Sequence, residues 1–313
     1  MFCSCHKLST YDLDYEKIDQ KNDIENNVSE IKNLNLSNEI KNNNYGSIKY
    51  QEASKLYRDH IGYTYINRYY RIGYNFKECL QSLFFCHNES VNIWSHLISF
   101  IVFCGLLIIN NIYFIKEVWL TNLVIIGSLI IFFVSTICHL FNPMFNSIKT
   151  HKMFYLLDFT GIMIGVIIFE TVLFFLLLSK QREIFYILFG LCVLFNLSSV
   201  AIKAYFNINN DSITKPNFIY YILIVINFIL ILVCFLKTTT QLIYNFNVII
   251  PFSISNFALI ISIIYNLVNN YPEKSCGNRF DLCCSSHQIW HFVVSLYLLS
   301  LLIQVIYWIN YLL

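Results

Sequence analysis

The chain has 313 residues, of which 57% are hydrophobic and only 13% charged, with a mean hydropathy of +0.55. A soluble domain averages about 25% charged residues, so a soluble globule this apolar could not cover its surface, and a multi-span membrane protein is implied. The net charge of +2, from 21 Lys and Arg against 19 Asp and Glu, excludes a strongly basic nucleic-acid binder.

Residues 1–50 hold eight acids and six lysines and are rich in Asn, as in Asn42-Asn43-Asn44. Such a segment buries too little apolar area to offset its ordering entropy, so a disordered polar arm is expected. No signal peptide is expected before it. Cys3 and Cys5 read as solvated thiols, acylation being the alternative, and Phe2 excludes N-myristoylation. Residues 51–91 form a second region. Within it Tyr57, Tyr63, Tyr65, Tyr69, Tyr70, Tyr74 and Phe76 alternate with Arg58, Arg68, Arg71 and Lys77, a pattern suited to the headgroup layer. A short amphipathic segment on the cytoplasmic face is expected there.

The remainder, 92–313, is a membrane domain. A span needs about 20 apolar residues at about 1.5 Å rise each. Seven fit, at about 92–115, 121–141, 153–179, 184–204, 217–237, 246–268 and 288–312, separated by short polar breaks. The predicted fold class is therefore an all-α, seven-transmembrane bundle. One side gathers eight basic residues (Arg71, Lys77, Lys149, Lys152, Lys203, Lys215, Lys274, Arg279) against four on the other (Lys116, Lys180, Arg182, Lys237). The Lys/Arg bias of short loops predicts a cytoplasmic N-terminus and a C-terminus on the far side.

Ionisable groups inside spans are costly and mark candidate sites. Here they are His96, His139, Asp158, Glu170, His287 and His291. With seven spans, the start of span one, the end of span two and the starts of spans three and seven share one membrane face. All of these groups except Glu170 fall at that face. His287 and His291 are four residues apart, which places both imidazoles on one helical face, able to bind one metal. His139 supplies a third nitrogen, and Ser135 lies four residues before it on the same face. Asp158 is a fourth ligand or the holder of a metal-bound water. Three histidines with one open position make a catalytic zinc site, whereas four closed ligands usually make a structural one. The ordinary alternative for a single histidine is a helix cap or a headgroup contact.

Glu89, Asn92 and His96 follow at i, i+3 and i+7, one helical face that can support the ligands from behind. A helix start with an acid in its first turn is the simpler reading of the same residues. Glu170 lies about 18 Å along the helix from Asp158, too far to join the metal. A protonated carboxyl bonded to Asn196 or Asn227 is expected there. Cys104, Cys138, Cys192 and Cys234 read as small hydrophobes within apolar runs. Cys276, Cys283 and Cys284 are rival soft ligands, but they lack a clean Cys-x-x-Cys spacing.

Three motifs complete the pattern. The first is Ser82-Leu83-Phe84 followed by His87-x-Glu89-x-x-Asn92-Ile93-Trp94-x-His96. The second is Ser135-x-x-x-His139 followed by Leu157-Asp158-x-x-Gly161. The third is Pro272-Glu273 leading to Ser286-His287-Gln288-Ile289-x-His291. In this order, over about residues 68–313, the chain resembles the progestin and adiponectin receptor family, which includes the haemolysin III proteins. That resemblance implies seven helices, an inside N-terminus and a cytoplasmic-side zinc held by His139, His287 and His291, with Asp158 on the zinc water and Ser135 a polar partner. It also implies kinship with alkaline ceramidases, zinc amidases acting on long-chain lipids. Three functions follow as expectations: zinc-dependent hydrolysis of a lipid amide or ester, a lipid or hormone receptor with structural zinc, and a haemolysin-like pore. The lipid bilayer is the expected partner, with a lipid substrate or ligand and no nucleic acid.

Overall fold

The computed structural model describes residues 65–71, 73–113, 117–144, 148–178, 181–209, 257, 261 and 270–312. Seven α-helices lie among them: α1 (Phe76–Ser82), α2 (Ser90–Tyr113), α3 (Val118–Phe141), α4 (Ile148–Leu178), α5 (Arg182–Asn209), α6 (Glu273–Cys276) and α7 (Ser286–Leu312). Five of these, α2 to α5 and α7, are long and apolar enough to cross a bilayer. They match the first four predicted spans and the last. The arm 1–50 and, apart from residues 257 and 261, the predicted spans 217–237 and 246–268 lie outside the described residues.

Sequential neighbours α2–α3, α3–α4 and α4–α5 pack side by side, and α7 closes against α2, α3 and α4. The core between them holds Phe103, Leu120, Val124, Phe132, Phe169, Leu298, Val305 and Trp308. Lipid tails are as apolar as these side chains, so close van der Waals packing holds such helices together, and small residues at the contact matter most. A Cβ at Gly165 would sit 2.5 Å from Ile131 Cδ1, and one at Gly161 would sit 3.1 Å from the Val134 Cβ. These two glycines of α4 therefore let it lie close against α3. Gly161 is the glycine three residues after Asp158, so the same close approach brings that carboxylate to α3.

At the far end, Asn110 of α2 donates to Thr121 Oγ1 at 2.7 Å and to Asn122 Oδ1 at 2.8 Å, pinning the α2–α3 hairpin. Helix α1 starts in a capping box, Asn75 accepting from the Glu78 amide and Glu78 accepting from the Asn75 amide. Helix α4 begins earlier than the predicted span. The polar stretch through Lys152 is helical, with His151 and Lys152 buried and His151 Nδ1 paired with Asn142 Oδ1.

Two residues expected at the headgroups lie inside. Tyr70 is buried, its hydroxyl donating to the Ile66 carbonyl at 2.8 Å. Arg71 is 3% exposed and donates to the carbonyls of His139 (2.8 Å) and Leu140 (3.2 Å) and to Ser82 Oγ (2.7 Å). The physical reason is the end of α3. Its last carbonyls have no intrahelical partner and carry the negative pole of the helix dipole, which a guanidinium fork satisfies.

Candidate metal centre

The candidate side chains come from three helices. His139 sits in the last turn of α3, Asp158 in the third turn of α4, and His287 and His291 in the first two turns of α7. Helix α7 starts where it does because Glu273 accepts from the Ser286 amide at 2.7 Å and from its hydroxyl. A carboxylate at that N-terminus also meets the positive end of the dipole. Gln288 completes the start, accepting from the Ser285 amide at 3.2 Å and donating to the Asn88 carbonyl at 3.0 Å. The paired histidines are thereby held against the segment that enters α2.

The three imidazoles converge. His287 Nε2 lies 3.4 Å from His139 Nε2 and 3.2 Å from His291 Nε2. The ligand atoms of all three lie within 4.8 Å of one another, and this is the group among the described residues that can hold a metal. Two Zn–N bonds of 2.0–2.1 Å at the tetrahedral angle separate their nitrogens by about 3.3 Å, so both separations from His287 fit zinc. Hydrogen bonding alone fits it poorly. His139 Nδ1 faces the acceptor-only carboxylate of Glu89 at 2.8 Å, so it carries the proton and a neutral His139 points a lone pair inward. One His287 N–H cannot donate linearly to both neighbours, whereas a cation satisfies three inward lone pairs at once.

Asp158 stands beside this set. Its Oδ2 is 3.7 Å from His139 Nε2, and the buried Ser135 lies close to its carboxylate. A cavity of about 10 Å³, close to the room one water requires, is lined by His139, Asp158, Asn142, Cys138, Phe154 and Tyr155. Behind His139, Asn92 Nδ2 donates to Glu89 Oε2 at 2.7 Å. Burial works to raise the Glu89 carboxyl, but the His139 imidazole and the hydrogen bonds from His139 and Asn92 outweigh it and hold it at about 2. His96 stacks on His291, ring centres 3.9 Å apart and 23° between planes. Glu89 and His96 thus touch the imidazole set from behind, and Asn92 reaches it through Glu89.

The sequence of residues 84–301 matches the profile of the family described as Haemolysin-III related. The chain belongs to that family. Similar proteins include "Heptahelical transmembrane protein 1" of Arabidopsis thaliana, 27% identical over 184 residues, covering 55% of this chain and 52% of that protein. The "ADIPOR-like receptor IZH2" of Saccharomyces cerevisiae is 26% identical over 243 residues, covering 70% of this chain and 71% of that one. "Heptahelical transmembrane protein ADIPOR3" of Oryza sativa subsp. japonica is 39% identical over 64 residues, 20% of this chain and 15% of its own. The match thus spans about half the length of the Arabidopsis protein. All four of His139, Asp158, His287 and His291 fall within the Haemolysin-III related stretch, and Arg71 falls before it.

The remaining candidates lie apart. Glu170 is buried between α4 and α5, accepting from Asn196 at 3.2 Å and from the Cys192 thiol. Asn196 is one of the two partners expected for it, while Asn227 lies outside the described residues. Cys192, read from sequence as a small hydrophobe, packs with Phe174 and Leu178 and in addition donates its thiol to Glu170. Cys276 and Cys284 are exposed and Cys283 is half-buried, and none joins the histidine group. Sequence reasoning also missed Lys203. In the sequence it counts as a flanking charge, yet its ammonium lies 4.1 Å from the Phe159 ring centre and in electrostatic reach of Asp158.

Proposed function

We propose that this protein is a zinc-dependent hydrolase of a lipid amide or ester, ceramidase-like, working at the cytosolic face of its membrane. The observation that carries the reading is the convergence of three imidazoles, with His287 Nε2 at zinc spacing from both others and a carboxylate beside them and outside their set. His139, His287 and His291 would hold the metal. Once bound, zinc supplies Lewis acidity toward a carbonyl and brings the pKa of a water down to about 7.

The chain's own groups do the rest. Glu89 keeps His139 turned so that Nε2 faces the site. Ser135, close to the Asp158 carboxylate, would orient it through its hydroxyl. Asp158 lines the small cavity beside His139 and is placed to take a proton from a water there and return it to a leaving amine or alkoxide. The apolar outer faces of α2, α4 and α5, with Ile101, Ile108, Ile164 and Leu197 exposed, offer acyl chains contact from the lipid side. The test is turnover of ceramide and of a long-chain ester by the purified protein, with zinc and after its removal. Zinc-dependent turnover supports the hydrolase.

A second reading is favoured by one comparison: the yeast relative is named an ADIPOR-like receptor. In that case the same metal is a structural pin, and zinc binding without turnover is its signature. A pore is less well supported, because Glu170 and Asn196 bond to one another between α4 and α5.

A further inference from the structure

The segment before α1 touches both halves of the metal centre. On one side Arg71 grips the end of α3, its guanidinium on the carbonyls of His139 and Leu140. On the other, the Asn67 amide donates to Asp281 Oδ1 at 3.1 Å and Arg68 Nε donates to Asp281 Oδ2 at 3.0 Å. Arg68 Nη2 also reaches the Asn278 carbonyl at 3.1 Å. Asp281 is 1% exposed and lies in the loop that delivers His287 and His291. Between these two anchors the strap is fixed to the start of α2, where the Asn88 amide donates to the Tyr69 carbonyl at 3.1 Å.

We propose that the Asn67–Arg71 strap sets the distance between His139 and the His287/His291 pair, with Arg71 as the positioning residue. The inference rests on the metal reading above. His139 and the paired histidines come from elements 148 residues apart in sequence, and a zinc site tolerates small errors in ligand spacing poorly. An exposed Arg–Asp pair adds little. Here the aspartate is buried and the arginine carries a fixed fork, so both anchors are directional. Removing the Arg71 fork leaves two helix-end carbonyls without their buried donor and frees the last turn of α3 to move with its histidine.

The experiment uses the full chain purified in detergent, with zinc affinity measured by chelator competition and ligand geometry read from the visible absorption of the cobalt-substituted protein. Arg71→Gln is expected to weaken zinc by about 10–100-fold, as loss of a group that orients a metal ligand does, and to change the cobalt spectrum. Arg71→Lys keeps the charge without the fork and falls between. Asp281→Asn, releasing the other anchor, weakens zinc in the same direction, and the double variant costs less than the sum because both act on one strap. If Arg71→Gln does not fold, Arg71→Lys and Asp281→Asn decide. Folded variants with wild-type affinity and cobalt spectrum, changed only in thermal stability, overturn the proposal and leave the metal reading standing. A wild-type protein that takes up no zinc overturns the metal reading itself.

Discussion

Glu89 and His139 are joined by a 2.8 Å hydrogen bond across 50 residues of sequence, and this bond fixes which imidazole nitrogen faces the centre. The carboxylate accepts only, so Nδ1 keeps its proton and Nε2 presents its lone pair. Glu89→Gln can present an amide N–H to Nδ1 and so reverse the tautomer. Zinc affinity is expected to fall by about 10–100-fold, measured by chelator competition. An unchanged affinity would remove Glu89 from the centre.

Asp158 is predicted to act on a proton and to be dispensable for holding the metal. Asp158→Asn should keep most of its zinc, because the amide still hydrogen-bonds a water but cannot take its proton. Hydrolysis should drop by about 10²–10⁴-fold, the usual contribution of a positioned acid–base group. Metal content and turnover on the same sample check this. Zinc lost from a folded Asp158→Asn protein makes Asp158 a structural ligand and favours the receptor reading.

Much of this centre was legible in the sequence because its signals are periodic or topological. His287 and His291 announce themselves by a spacing of four, and the alternation of spans brings His139 and Asp158 to the same end. Arg71 and Glu273 were not legible as anchors. Their partners are backbone groups, the carbonyls of His139 and Leu140 and the amide of Ser286, and a helix end carries no residue type that names its distant cap. Arg71 even reads as its opposite, since an arginine among tyrosines is the composition of a headgroup belt. The Cys192 thiol contact was hidden for a related reason, although its place in the apolar core was legible. In an apolar run a thiol looks like a small hydrophobe until a carboxylate from the next helix, Glu170, is placed against it.

The α3–α4 contact gives a stability prediction with an internal control. A Cβ at Gly165 meets Ile131 at 2.5 Å, whereas one at Gly190 in α5 meets nothing within 4 Å. Gly165→Ala should destabilise the protein by about 1–3 kcal/mol, the usual cost of overpacking. Gly190→Ala should be neutral or slightly stabilising through helix propensity. Thermal unfolding in detergent compares them, and equal midpoints would contradict the close helix approach.

Sidedness can be read from thiols at the histidine end. Cys86 and Cys284 are exposed, while Cys79 is buried in α1, burial pushing its thiol up to about 11. The raised value leaves little thiolate near neutral pH, so Cys79 should stay unlabelled in a folded single-cysteine variant. Cys86 and Cys284, each in an otherwise cysteine-free chain, should react with an impermeant maleimide only when the cytosolic side is opened. Labelling from outside intact cells would reverse the orientation drawn from the Lys/Arg bias.

Zinc content of the purified protein, wild type beside His287→Ala, bears most directly on the centre. His287 Nε2 is the atom within 3.4 Å of both other imidazole nitrogens, and two remaining imidazoles hold zinc poorly against water. One zinc per chain in the wild type and none in a folded His287→Ala protein is the expected result; a full complement of zinc in His287→Ala would contradict the three-histidine centre.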